Sequence, residues 1–79
     1  MNTAVSLTDL RSGQVARVAG IRGGWGVQRR LQALGVRPGA TVKKVSAALR
    51  PGAVVVEVCG CQVALGFGVA RRILVDVLP

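Results

Sequence analysis

The sequence contains no histidine and no tyrosine, and its only acidic residues are Asp9, Glu57 and Asp76. Histidine is the commonest general base and the commonest transition-metal ligand, so its absence removes most hydrolytic and metal-assisted chemistry. The three carboxylates fall in separate segments, and no pair has the spacing to share one face of one element. A serine or cysteine nucleophile lacks its usual base. The chain is therefore expected to hold no catalytic residue and to work by binding. Aromatics are scarce too: Trp25 and Phe67 are the only two. Barrels that bind nucleic acid stack bases on several exposed rings, and proline-rich peptides are read by aromatic-lined grooves; two rings are poor equipment for either. No apolar run approaches the roughly 20 residues that span a bilayer. Met1 to Asp9 have neither the basic start nor the apolar stretch of a signal peptide. A cytoplasmic protein with no membrane span is the expectation.

What the sequence has in excess is positive charge. Eleven Lys or Arg stand against the three acids, for a net charge of +8. Such a surface attracts nucleic acid, anionic lipid or an acidic protein. With so little stacking equipment, nucleic-acid binding is expected to be weak, independent of sequence and steeply lost with salt. A chain of 79 residues has room for one domain with a modest core. The expected domain spans residues 1–79, with 1–5 as a flexible N-terminus.

Glycine and proline cut the chain into short pieces. Ser6 to Arg11 reads as an opening turn, with Leu7 and Leu10 covering one end of a core. Gln14 to Arg22 reads as a strand in which Ala16 and Val18 share a face. Ile21 has the opposite parity, and a bulge at Gly20 would turn it back inward. After the loop of Gly23, Gly24, Trp25 and Gly26 comes the one good helix signal. Val27, Leu31 and Leu34 fall at i, i+4 and i+7. Gly35 sits where a left-handed residue ends a helix, with Val36 placed to touch Leu31. Pro38-Gly39 is a turn. Thr41 to Ala47 is β-prone, although Lys44 breaks its apolar pattern, and Arg50-Pro51-Gly52 is another turn. Ala53 to Val58 puts Val54, Val56 and Val58 on one face, and Val63 and Leu65 continue the set. Gly66 to Arg72 is a short connection with room for one helical turn, and Ile73, Val75 and Val77 form a closing strand. The predicted fold is mainly β: a small barrel of about five short strands with one short helix after the first.

Cys59-Gly60-Cys61 invites a metal assignment, but closed thiolate sites use three or four ligands and only two thiols exist. A two-residue hairpin turn at Cys59-Gly60 pairs Val58 with Cys61, Val56 with Val63 and Val54 with Leu65. That register predicts Cys61 in the core, as a small hydrophobe, and Cys59 exposed at the tip. No metal site and no cofactor are expected within one chain; two chains pooling Cys59 thiols around one metal stays open. Gly23-Gly24-Trp25-Gly26 lacks the Gly-Lys-Ser/Thr ending of a P-loop, and Gly66-Phe67-Gly68 lacks the third glycine and βαβ context of a dinucleotide site. Both read as turns.

Taken in order, the pieces resemble the FeoA family, small cytosolic proteins of bacterial ferrous-iron uptake. The likeness runs from Leu7 to Val77. It rests on Leu7-x-x-Leu10-x-x-Gly13, Val18-x-x-Ile21, Arg30-Leu31-x-x-Leu34-Gly35-Val36-x-Pro38-Gly39, Val56-x-Val58-x-Gly60, Ala64-Leu65 and Ala70-x-x-Ile73-x-Val75. The resemblance implies an SH3-like barrel and a regulatory role beside FeoB, the membrane iron transporter with a cytosolic nucleotide-hydrolysing domain. It also implies recruitment to the inner face of the plasma membrane by that partner. Family members often carry Arg after the Ala-Leu pair and Glu just before the later Ala; here those positions hold Gly66 and Val69.

The candidate partner contacts are Trp25, Arg29 and Arg30 around the helix and the outward-facing Leu74. Exposed anchors with a rim of charge are what a binding surface asks for. Trp25 is either such an anchor or a lid over one end of the barrel. Leu74 is a contact, simple edge-strand exposure, or a residue buried in a homo-oligomer. Two other functions stay open: a sequence-tolerant nucleic-acid-binding barrel, and a stand-alone repressor-type domain that senses metal or binds a peptide.

Overall fold

The computed structural model describes residues 4–46 and 52–78. They form six strands and two helices: β1 (Val5–Ser6), β2 (Val15–Ile21), α1 (Trp25–Ala33), β3 (Thr41–Ser46), β4 (Ala53–Val58), β5 (Cys61–Gly66), α2 (Phe67–Ala70) and β6 (Ile73–Val77). The strands make one antiparallel sheet in the order β1-β6-β2-β3-β4-β5. The fold is SH3-like and mainly β, as expected. It has six strands rather than five because Val5 and Ser6 pair with Val75 and Leu74. Two residues carry no periodicity, so nothing in the pattern announces this strand, and Val5 falls in the stretch expected to be flexible. The helix consequently follows the second strand.

Alternation decides the core. Ala16, Val18, Val42, Val54, Val56, Val58, Leu65, Ile73 and Val75 come from five strands and join one buried cluster, which Leu7 and Leu10 close at one end. Side chains on one face of a strand recur every second residue, so one set of valines makes the core and the other faces outward. The bulge in β2 lies between Val18 and Gly20. It restores Ile21 to the inner side, where it opposes the buried Ile73 and packs against the core.

Helix α1 ends in a complete Schellman motif. The Val36 N–H donates to the Leu31 carbonyl and the Gly35 N–H to the Gln32 carbonyl, each at 2.9 Å. Gly35 has φ +91°, which glycine adopts without a Cβ penalty. The chain then turns through Arg37 to Ala40, where the Ala40 N–H donates to the Arg37 carbonyl at 2.9 Å. The Gly39 N–H meets the Val18 carbonyl and the Val18 N–H meets the Ala40 carbonyl, both at 2.8 Å. This clasp ties the exit of α1 to the middle of β2. Of the predicted stripe, Leu31 is buried and Val27 half-buried, but Leu34 is 45% exposed. Leu34 is the residue at which the helix ends, so the chain is already turning away from the sheet there. Ala47 of the third predicted strand, and Arg50 and Pro51 of the second predicted turn, lie outside the described residues.

Lys44 breaks the pattern of β3 for a structural reason. It is buried, and its Nζ donates to the Leu10 carbonyl at 2.7 Å and to the Thr8 carbonyl at 3.4 Å. The charge fastens the opening turn, whose carbonyls have no strand partner, onto the sheet. Losing one partner of a buried bond leaves the other unsatisfied, at about 1–3 kcal/mol. Lys44→Met keeps the apolar stem and is expected to lower unfolding free energy by about that amount in a urea titration. An unchanged midpoint would mean that the turn carbonyls find other donors.

Candidate functional site

The outer surface of α1 divides into two faces. Val27, Arg30, Leu31 and Leu34, at i, i+3, i+4 and i+7, share one side. They form one wall of an open groove of about 230 Å3, whose other wall is Ala64, Leu65 and Gly66 of β5 with Val69 of α2. Arg30 is the single charge in this apolar lining. Gly66 and Val69 are the two positions at which the sequence departs from the charged residues that the family resemblance implies. The groove's far side is accordingly apolar and low, with no side chain at position 66 to fill it.

Trp25 and Arg29 occupy the opposite side of α1, one turn apart. Trp25 is 73% exposed, so it is not a lid. The Arg29 guanidinium carbon lies 4.7 Å from the centroid of its indole ring, a cation–π contact of about 0.5–1 kcal/mol at an exposed site. The contact holds both side chains in one place on the surface. Trp25, Arg29 and Arg30 are thus carried by one helix, with Arg30 on the groove side. Leu74 is not brought to them. It lies in β6, flanked by β1 and β2, half-buried opposite Ser6 and Gly20, and it lines no part of the groove.

The hairpin β4–β5 has the predicted register, with Val58 opposite Cys61 and Val54 opposite Leu65. Cys59 and Gly60 have φ of 52° and 81°, the paired left-handed turn that suits a two-residue hairpin. Cys61, however, is exposed and not in the core. Along its face of β5 the environment runs from buried Leu65 through half-buried Val63 to exposed Cys61. The edge strand runs off the end of the core, so parity alone overstates how deep Cys61 sits. Among the described residues no three His, Cys, Asp or Glu side chains come together.

The groove itself escapes sequence reasoning, because α1 forms one wall and β5 with α2, far along the chain, form the other. The only trace in the sequence is the pair of departures, Gly66 and Val69, next to a leucine at position 34 that ends the helical stripe.

A profile of the FeoA domain matches residues 5–77. The chain belongs to the FeoA family. Among solved structures, the crystal structure of an iron uptake regulatory protein (FeoA) superposes with a TM-score of 0.87 at 30% identity, covering 96% of this chain and 99% of that one. The FeoA protein from Chlorobium tepidum superposes with a TM-score of 0.84 at 28% identity, over 95% of this chain and 71% of that one. A manganese-dependent transcriptional repressor shares the fold, with a TM-score of 0.88 at 23% identity, but the overlap covers 99% of this chain and only 44% of the repressor. No curated protein matches the chain. Among the described residues of this FeoA-family chain, no helix is long and apolar enough to cross a membrane.

Proposed function

We propose that this protein is an accessory and regulatory component of bacterial ferrous-iron uptake, acting in the cytoplasm by contact with the cytosolic part of the FeoB membrane transporter. Membership of the FeoA family over residues 5–77 supports the iron-uptake role. The observation that carries the binding mode is the α1 surface. One short helix presents an exposed indole clamped by Arg29 on one side and an apolar groove edged by Arg30 on the other. Tryptophan and arginine are the residues most enriched among binding hot spots. A partner with an acidic rim and an apolar projection would meet both faces of the helix edge. Leu74, held between two strands, is left out of this contact.

The test is Arg29→Glu. The substitution removes the cation–π contact and is expected to lower stability by no more than about 1 kcal/mol. It is expected to weaken association with the transporter's cytosolic part in a pull-down, because reversal of a rim charge turns attraction into repulsion. A variant that melts near wild type and binds like wild type would remove this helix face from the contact. A wild-type protein that associates with neither the cytosolic part nor the full transporter would overturn the proposed function.

A further inference from the structure

A second cleft lies where the end of β2, the β1 region and the turn into β6 meet. Its volume is about 450 Å3, and it is lined by Ser6, Thr8, Arg22, Gly23, Arg71 and Arg72. Three of these six residues are arginines and none is acidic.

A backbone hydrogen bond brings Arg22 beside the adjacent pair Arg71 and Arg72, some fifty residues on. The Arg22 N–H donates to the Arg72 carbonyl at 2.8 Å. The Ser6 hydroxyl donates to the Arg71 carbonyl at 3.1 Å and also bonds to the Thr8 hydroxyl at 2.9 Å. Ser6 therefore ties the turn to β1, and Arg22, Arg71 and Arg72, all exposed, line one opening. Arg72 Nη1 lies beside Gly23, 3.5 Å from where a Cβ on that residue would stand, an ordinary contact distance. Helix α1 starts immediately afterwards, with Gly24 as its cap, no capping side chain and no acid in its first turn. Nothing at this end of the helix offsets the positive charge.

Three arginines line one opening, and no carboxylate in the lining offsets their charge. An oxyanion would. Guanidinium is a planar fork that grips phosphate oxygens two at a time. The opening is broad and shallow, open to solvent, which suits a charged group held at its rim and not an enclosed ligand. We infer that the Arg22–Arg71–Arg72 cleft binds phosphate groups carrying two or more negative charges, as free phosphate compounds or as lipid headgroups. The site is separate from the α1 groove and does not depend on the transporter contact.

The experiment titrates the full-length, isotopically labelled protein with inorganic pyrophosphate at 150 mM salt and follows amide and arginine side-chain NMR signals. Saturable shifts centred on Arg22, Gly23, Arg71 and Arg72 are expected. Arg22→Gln and Arg72→Gln should each weaken binding at least tenfold while melting near wild type, whereas Arg37→Gln, which removes an equal charge elsewhere, should leave it within about twofold. A parallel arm measures co-sedimentation with phosphatidylglycerol vesicles against phosphatidylcholine vesicles. Vesicle binding that is lost in the same two variants, without saturation by pyrophosphate, assigns the lipid headgroup as the source. Shifts spread over all exposed arginines, an equal loss in Arg37→Gln, or no saturation in either arm would overturn the proposal.

Discussion

Leu31→Ala is expected to cost about 2–5 kcal/mol of folding stability, the range for a buried leucine. Leu31 is 1% exposed, and it belongs to the cluster that joins α1 to the sheet. Its carbonyl also accepts the Val36 N–H that closes the helix. A chain of this size has about 4–12 kcal/mol of stability in total, so the loss is a large share. Each kcal/mol shifts the melting midpoint of a domain of 60–100 residues by about 4–8 °C, and calorimetry should therefore show a drop of at least about 8 °C. A drop under about 4 °C would show that Val27 and Leu34, which line the same groove, collapse into the vacated space. Because Leu31 lines the groove as well as the core, a loss of the proposed transporter contact in this variant is informative only below its melting range.

The parts of the fold that were legible in the sequence are those with a periodic signal or an obligatory residue. Val54, Val56 and Val58 alternate, and they are buried together. Gly35 could only be a helix ending, and the Schellman bonds are there. The bulge near Gly20 was readable because Ile21 broke parity. What was not legible has equally specific causes. Strand β1 is too short to alternate, and its pairing with β6 is set by the opening turn. Cys61 had the right parity for the core but the wrong position along the edge strand. Lys44 looked like an interruption because a carbonyl partner 34 residues earlier in the chain leaves no mark on a pattern.

The candidate site was legible only in part, because surfaces are made by elements meeting and not by local order. Arg29 and Arg30 could be placed on one helix, but Trp25, read as part of the glycine loop, turns out to be the first residue of α1, because Gly24 caps the helix before the apolar stripe begins at Val27. The arginine cleft was invisible, since Arg22 and Arg72 become neighbours only once β2 pairs with β6, the ladder running on through the Arg22 N–H to the Arg72 carbonyl. In a chain with eleven basic residues, charge alone points everywhere; only the fold shows which three converge.

Gly35→Val should destabilise the protein by about 2–6 kcal/mol, the sum of about 1–3 for a β-branched residue forced to positive φ and about 1–3 for overpacking. At φ +91°, a Cβ on residue 35 would stand 3.2 Å from Cγ1 of Val58, and Val58 is itself buried. Gly13 supplies the control. It has nearly the same φ, +89°, with nothing within 4 Å of its would-be Cβ. Gly13→Ala and Gly35→Ala therefore carry the same backbone strain, and the difference between their denaturation midpoints isolates the contact with Val58. Gly35→Ala is expected to be the less stable of the two, with Gly35→Val lower still. The consequence reaches the surface, because the same turn sets where α1 ends and hence where Leu34 stands beside the groove. A Gly35→Ala protein that unfolds like Gly13→Ala would show that Val58 yields without cost, and that the closeness of helix end and hairpin is not what positions the groove wall.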